Sequence, residues 1–125
     1  MSSSTRGCIF VIEDSEDIRD LIKLLYESEG YPVEFAGDGK EALEKLRSFA
    51  PPPCVILLDL MMPGMDGYQF RAEQIKDSKM AAIPTLVMTA DSNAEEKAKR
   101  VGASGFLRKP VNIDVLIKVA EKYCV

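Results

Sequence analysis

Several short apolar runs in this chain end on residues that can bind charge. Ile9-Phe10-Val11-Ile12 leads into Glu13-Asp14, and Val55-Ile56-Leu57-Leu58 into Asp59. Thr85-Leu86-Val87-Met88 leads into Thr89-Ala90, and Gly105-Phe106-Leu107-Arg108 into Lys109-Pro110. Apolar runs of this length read as buried strands, so the polar residue closing each one is delivered to the same edge of a sheet. Three carboxylates, a hydroxyl and an ammonium gathered there can bind a divalent cation and a phosphoryl group together. Without a cation the acids oppose one another, since two unit charges ~4 Å apart repel by about 4 kcal/mol at an effective dielectric of about 20. Oxygen ligands with no histidine or cysteine among them favour magnesium, with manganese as the alternative. Asp59 is then the candidate nucleophile. Thr89 can donate to a phosphoryl oxygen, and Ala90 leaves room for close approach and adds a backbone N–H. Lys109 can pair with Asp59 at rest and with an acyl-phosphate on it afterwards.

The elements that must position these groups alternate between strand and helix. Ser15 can cap a first helix whose apolar face carries Ile18, Leu21, Ile22 and Leu25, and Gly30 stops it. A strand from Pro32 to Ala36 leads to Asp38, which with Glu41 forms a capping-box pattern, followed by Leu43, Leu46 and Phe49 on one helical face. Pro51-Pro52-Pro53 blocks continuation, because each ring fixes φ and removes a donor, and the third strand starts at Cys54. The helix after Gly67 has an irregular stripe of Tyr68, Phe70, Ala72 and Ile75. Pro84 opens the fourth strand. Asn93 with Glu96 offers a further capping box for a charged helix through Arg100, ended by Gly102. Asn112 caps a last helix expected to bury Ile113, Leu116, Ile117 and Ala120. Five βα units of this kind predict an α/β fold, an open doubly wound parallel sheet of five strands with five helices. Ligands of such sheets bind beyond the carboxyl ends of the strands.

Composition narrows the field. A chain of 125 residues with 46% hydrophobic content suits one domain, read as a flexible leader over residues 1–7 and a folded unit over 8–125. A formal net charge of -4 gives no basic face for nucleic acid. The start lacks the apolar segment of a signal peptide and no run is long enough to cross a bilayer, so a cytoplasmic location is expected, with no membrane partner. The 3 cysteines are widely spaced, matching neither a disulfide framework nor a zinc site, and are expected to be reduced structural thiols. The count of 0 histidines weighs against histidine-dependent hydrolases, zincins and haem proteins.

The ordered motifs resemble the receiver domain of two-component response regulators, over nearly everything from Cys8 onward. Receivers carry an acidic pair after the first strand, here Glu13-Asp14, and an acceptor aspartate followed by Met-Pro and Asp-Gly, here Asp59, Met62-Pro63 and Asp66-Gly67. They carry Thr-Ala after the fourth strand and Lys-Pro after the fifth, here Thr89-Ala90 and Lys109-Pro110. The resemblance implies a flavodoxin-like strand order of 2-1-3-4-5. It implies a phosphoacceptor at Asp59, supplied by a phosphohistidine on a sensor histidine kinase or a histidine phosphotransfer protein. Asp14, Asp59 and the backbone carbonyl of Met61 would hold magnesium, with Glu13 assisting through a metal-bound water. Where many relatives have two aspartates this chain has Glu13 in the first place, a mild departure in which the longer arm can still serve. The Lys109-Pro110 bond resembles the family's cis peptide. The chain is thus read as a phosphoacceptor that promotes its own phosphorylation and dephosphorylation, not as a conventional enzyme. A monomer or weak dimer is expected, signalling to an output protein or a fused effector domain.

By the same resemblance Thr89 would turn toward the phosphoryl group, and Phe106 on the fifth strand would follow by repacking, since it has no phenolic hydroxyl. The affected face would be the fourth helix, fifth strand and fifth helix, including Lys97, Lys99, Arg100 and Lys118. Alternatives are a degenerate receiver acting as a phosphorylation-independent interaction module and, ranked below it, a magnesium-dependent aspartyl phosphatase. The phosphatase would want a second aspartate where this chain has Met61. A flavin-binding relative of the fold would want a Ser, Thr and Gly-rich loop after the first strand. Glu13-Asp14-Ser15-Glu16-Asp17 would repel its phosphate.

Overall fold

The most apolar stretches of the chain become the central strands of a sheet covered on both faces. The computed structural model describes residues 7–49, 51–62 and 64–124. The first six residues of the expected leader, Pro63 of the Met62-Pro63 pair and the last residue of the expected folded unit lie outside the described residues. Strands β1 (Ile9–Ile12), β2 (Val33–Ala36), β3 (Val55–Asp59), β4 (Thr85–Thr89) and β5 (Gly105–Arg108) pair in parallel in the order β2-β1-β3-β4-β5. This is the doubly wound, flavodoxin-like arrangement expected from the sequence. Every residue of β1, β3 and β4 is buried, as strands with helices on both faces must be. The winding reverses between β1 and β3, which opens a crevice beyond their carboxyl ends.

The helices are α1 (Glu16–Ser28), α2 (Gly39–Arg47), α3 (Gly67–Gln74), α4 (Ser78–Ala81), α5 (Ala94–Arg100) and α6 (Ile113–Tyr123). On one face Ile22 and Tyr26 of α1 and Leu116 and Ala120 of α6 pack against Val11, Leu57 and Met88. The buried Tyr26 hydroxyl donates to the Leu116 carbonyl at 2.9 Å, so a polar tip in the core is satisfied while it ties α1 to α6. On the other face Phe10, Ile56 and Leu58 meet Leu43 and Leu46 of α2, Phe70 of α3 and Met80 of α4. Ala98 of α5 packs with Leu60 and Val87, and Phe106 lies half-buried against that cluster.

Local chemistry explains where the fold follows the sequence pattern and where it departs from it. Ser15, Asp38 and Asn112 cap their helices by accepting from the N–H of Ile18 at 3.3 Å, Glu41 at 2.8 Å and Val115 at 3.0 Å. Glu41 reaches back one residue further than a capping box requires, accepting from Gly37 N–H at 2.9 Å. The box expected at Asn93 does not form. Its backbone, φ -98° and ψ 37°, is not the extended conformation that aims an N-cap side chain into the first turn. Among the described residues there are six helices and not five, because Asp77 caps one extra turn through the N–H groups of Lys79 and Met80. Leu21 and Ile113, expected in the core, are 48% and 36% exposed, while α1 buries Ile22 and Tyr26 and α6 buries Leu116, Val119 and Ala120.

The cysteines also differ from expectation. Cys54, just before β3, and Cys124, just after α6, form a disulfide across a sequence separation of 70. Cys8 is free and half-buried, and burial pushes its thiol up to about 11. No spacing rule could pair residues so distant in the chain. They meet because α6 runs back along the sheet from its carboxyl edge to the end where β3 begins. Among the described residues no helix is long and apolar enough to cross a membrane. A disulfide closing so long a loop restricts the unfolded chain and is worth about 2–4 kcal/mol. Reduction, or Cys124→Ser, is therefore expected to lower the urea midpoint by that stability. Equal midpoints for the oxidised and reduced chains would show that the bridge carries no such load.

Candidate functional site

Glu13 follows the last residue of β1, and its main chain continues the sheet by donating to the Ala36 carbonyl at 3.0 Å. Its side chain turns inward and is 1% exposed, with Oε2 accepting from Ser15 N–H at 3.1 Å. The residue that caps α1 thus also holds the first acid. Asp14 is exposed at the rim. Asp59 closes β3, is 3% exposed, and accepts through Oδ1 from Met61 N–H at 3.0 Å. The Met61 side chain faces outward, 69% exposed, so the contact comes from its backbone alone.

The loop beyond Asp59 is closed by a close approach. Gly67 N–H donates to the Leu60 carbonyl at 3.2 Å, and a Cβ at Gly67 would stand 2.6 Å from the Asp59 carbonyl oxygen and 2.7 Å from Leu60 Cα. Only glycine lets α3 start this close to the end of β3. Asp66 caps α3 in a complete capping box, accepting from Gln69 N–H at 2.9 Å while Gln69 Oε1 accepts from Asp66 N–H at 2.9 Å.

Thr89 ends β4 and is 4% exposed. Its Oγ1 accepts from Asp91 N–H at 3.2 Å, which leaves the hydroxyl hydrogen to be donated elsewhere. Ala90 is exposed beside it. The Asp91 carboxylate pairs with Lys97 of α5, and that contact holds the Asp91 carboxyl below its ordinary range. Arg108 Nη2 donates to the Ser92 carbonyl at 2.9 Å, fastening the same loop to β5.

Lys109 follows β5, its N–H donating to the Thr89 carbonyl at 2.9 Å, and the Lys109–Pro110 peptide is cis. Its Nζ lies 2.8 Å from Glu13 Oε1 and 3.3 Å from Asp59 Oδ2. Burial pulls the ammonium toward the neutral form, but the Glu13 and Asp59 carboxylates outweigh it and hold the pKa above the ordinary lysine value.

Glu13, Asp14, Asp59, Met61, Thr89, Ala90 and Lys109 all line one cavity of about 280 Å³ at the carboxyl edge of the sheet. The structure brings these sequence-derived candidates together, whereas Phe106 stands apart in the cluster with Leu60, Val87 and Ala98. One carboxylate oxygen each from Glu13, Asp14 and Asp59 can be chosen within 4.8 Å of one another. Glu13 Oε1 is buried and, its ion pair with Lys109 apart, has no hydrogen-bond partner among the described residues. An oxygen-only cluster containing such an atom fits a hard cation.

Two supports of the site were not among the expectations from sequence. The Asp66–Gln69 box was visible in the spacing of an acid and an amide three residues apart. Arg19, whose Nη1 donates to the Glu13 carbonyl at 3.0 Å, left no local signal because its partner lies six residues away.

Residues 9–121 match the response regulator receiver domain family. Protein PilH of Pseudomonas aeruginosa is 31% identical over 112 residues, which span 88% of this chain and 91% of PilH. The structure is similar to that of chemotaxis protein CheY4 of Vibrio cholerae, with a TM-score of 0.84 at 34% identity, covering 94% of this chain and 98% of the other. It is also similar to the phosphorylated cyanobacterial phytochrome response regulator RcpA, with a TM-score of 0.76 at 26% identity, covering 93% and 89%.

Two expectations follow from the geometry. Gly67→Ala overpacks backbone against backbone, a defect that costs about 1–3 kcal/mol, and urea unfolding should show a loss in that range. Lys109 binds its proton more tightly folded than unfolded, so its pairing stabilises fully below the ordinary lysine pKa. That stabilisation is lost as pH rises through the elevated folded value. The stability gap between wild type and Lys109→Met should therefore shrink at alkaline pH, and a constant gap would exclude this coupling.

Proposed function

The chain belongs to the response regulator receiver domain family, and from that membership we propose that Asp59 accepts a phosphoryl group from a phosphohistidine donor. The donor would be a sensor histidine kinase or a histidine phosphotransfer protein. What carries the reading is the convergence of Asp59, Glu13, Asp14, Thr89 and Lys109 on one open cavity. An Asp59 carboxylate oxygen attacks phosphorus, the P–N bond of the donor breaks, and the imidazole nitrogen leaves with the bonding pair and takes up a proton. The Met61 N–H and Lys109 hold the nucleophile in place from two sides, so little reorganisation precedes attack.

Asp14, Asp59 and the Met61 carbonyl would hold magnesium, or manganese in its place, with Glu13 behind them. When bound, that cation would neutralise charge on the transferring phosphoryl oxygens. Lys109 can exchange its contact with Asp59 for one with a phosphoryl oxygen, and the Ala90 N–H can supply a further donor. The phosphorylated state of RcpA supports the reading, since that protein shares the fold and much of the length of this one.

The output would follow from Thr89. Turning its side chain toward a phosphoryl group would carry Oγ1 away from Asp91 N–H, loosening the loop tied to α5 by Lys97. Phe106, half-buried beside Val87, would repack, and the face formed by α5, β5 and α6 would change. That face presents Lys99, Arg100 and Lys118 to a partner or a fused effector.

Intact mass after incubation with phosphoramidate, with and without magnesium, tests the acceptor. One magnesium-dependent, alkali-labile phosphate is expected, absent in Asp59→Asn. No adduct under these conditions would favour a phosphorylation-independent interaction module. In the phosphorylated chain amide signals should shift along α5, β5 and α6, and an unchanged spectrum there would remove the proposed switch.

A further inference from the structure

Besides the ion pair with Lys109, three hydrogen bonds hold the backbone and side chain of Glu13, and one of these three bears on the peptide that joins it to Asp14. The Glu13 N–H is held by the Ala36 carbonyl at 3.0 Å and its Oε2 by Ser15 N–H at 3.1 Å. Its carbonyl receives Arg19 Nη1 at 3.0 Å. Because a peptide unit is planar, fixing that carbonyl also fixes the nitrogen and Cα of Asp14. Asp14 is exposed and lies between β1 and α1, outside both elements, so its direction depends on this peptide.

The guanidinium reaches the carbonyl by passing over Gly37, at the end of β2. A Cβ there would stand 2.9 Å from Arg19 Nη1, and the Gly37 backbone lies outside the left-handed region. The glycine therefore serves as space for the arginine and not as a turn. On the far side, the Glu41 carboxyl is held low first by Gly37 N–H and also by the fields of Lys45 and Arg19. Arg19 thus lies within the field of a carboxylate on α2 while it donates to the peptide between two of the site's acids.

We infer that Arg19 is a positioning residue for divalent-cation binding, acting by orienting the Glu13–Asp14 peptide, and that Gly37 is the gap it requires. The inference rests on the reading of Glu13, Asp14 and Asp59 as a magnesium site. An acid already aimed at the cation need not be ordered by it, so affinity rises without a new ligand. Charge alone argues the other way: removing a nearby cation should strengthen magnesium binding. The two effects have opposite signs, which makes them separable.

The experiment is a magnesium titration of the full, unphosphorylated chain by calorimetry, with thermal midpoints measured without metal. Arg19→Ala is expected to weaken binding roughly 10-fold, the lower end of what losing such an outer support costs. Gly37→Ala keeps the charge but displaces the guanidinium, and should weaken binding in the same direction. Arg19→Lys should recover part of the loss. The double variant Arg19→Ala with Gly37→Ala should be no weaker than Arg19→Ala alone. Unchanged or tighter binding in both single variants overturns the inference, including where the midpoint falls, since a merely structural role would lower the midpoint and leave affinity alone. A wild-type chain that binds no magnesium overturns the metal-site reading itself, a separate result.

Discussion

Two nearly buried carboxylates face one ammonium at the edge of this sheet, and the site depends on that arrangement. Glu13 and Asp59 sit at the ends of strands that are buried along their whole length, where water screens their charge poorly. Lys109 meets both, at 2.8 and 3.3 Å. Its own burial works against it, yet the acids hold it charged, so the three groups support one another only while all are in place. Asp14 adds a further negative charge at the rim with no comparable partner in the cluster. The remaining imbalance leaves three carboxylates facing one ammonium at the pocket, a charge pattern that suits a hard cation.

The surrounding structure spends much of its local chemistry on keeping those groups still. Ser15 caps α1 and also donates to Glu13, Gly67 lets α3 begin against the end of β3, and Asp66 and Gln69 close that turn from both directions. Arg108 and Lys97 fasten the loop after β4. These are loop segments, yet each is tied to a strand end by at least one named contact. A site on such supports can hold its geometry, while Phe106 lies outside it, half-buried against Leu60, Val87 and Ala98.

Membership of the receiver family and the geometry of the pocket bear on different parts of the reading. The family accounts for the fold and for two-component signalling as its setting. The pocket bears on how Asp59, Thr89 and Lys109 would share the work of phosphoryl transfer. Arg19 shows why neither is sufficient: it stands outside the motifs that carry the resemblance, yet it donates to the peptide between two acids.

The amino-acid sequence by itself determined the strands, their burial and the chemistry at their ends. Runs such as Val55 to Leu58 are apolar without alternation, so they must be covered on both faces, and Asp59 is then forced to an edge. Caps at Ser15, Asp38 and Asn112 were legible because a helix start is a matter of a few neighbouring residues. Tertiary structure decided whatever depends on groups far apart in the chain or on one local torsion. The pairing of Cys54 with Cys124 follows from where α6 ends. Leu21 faces out because the stripe that meets the sheet runs through Ile22 and Tyr26. Asn93 fails as a side-chain cap because its loop, held by Arg108 and by the Asp91–Lys97 pair, leaves its backbone unextended. Periodicity and spacing encode local preference, whereas contacts between distant segments exist only once the sheet has brought them together.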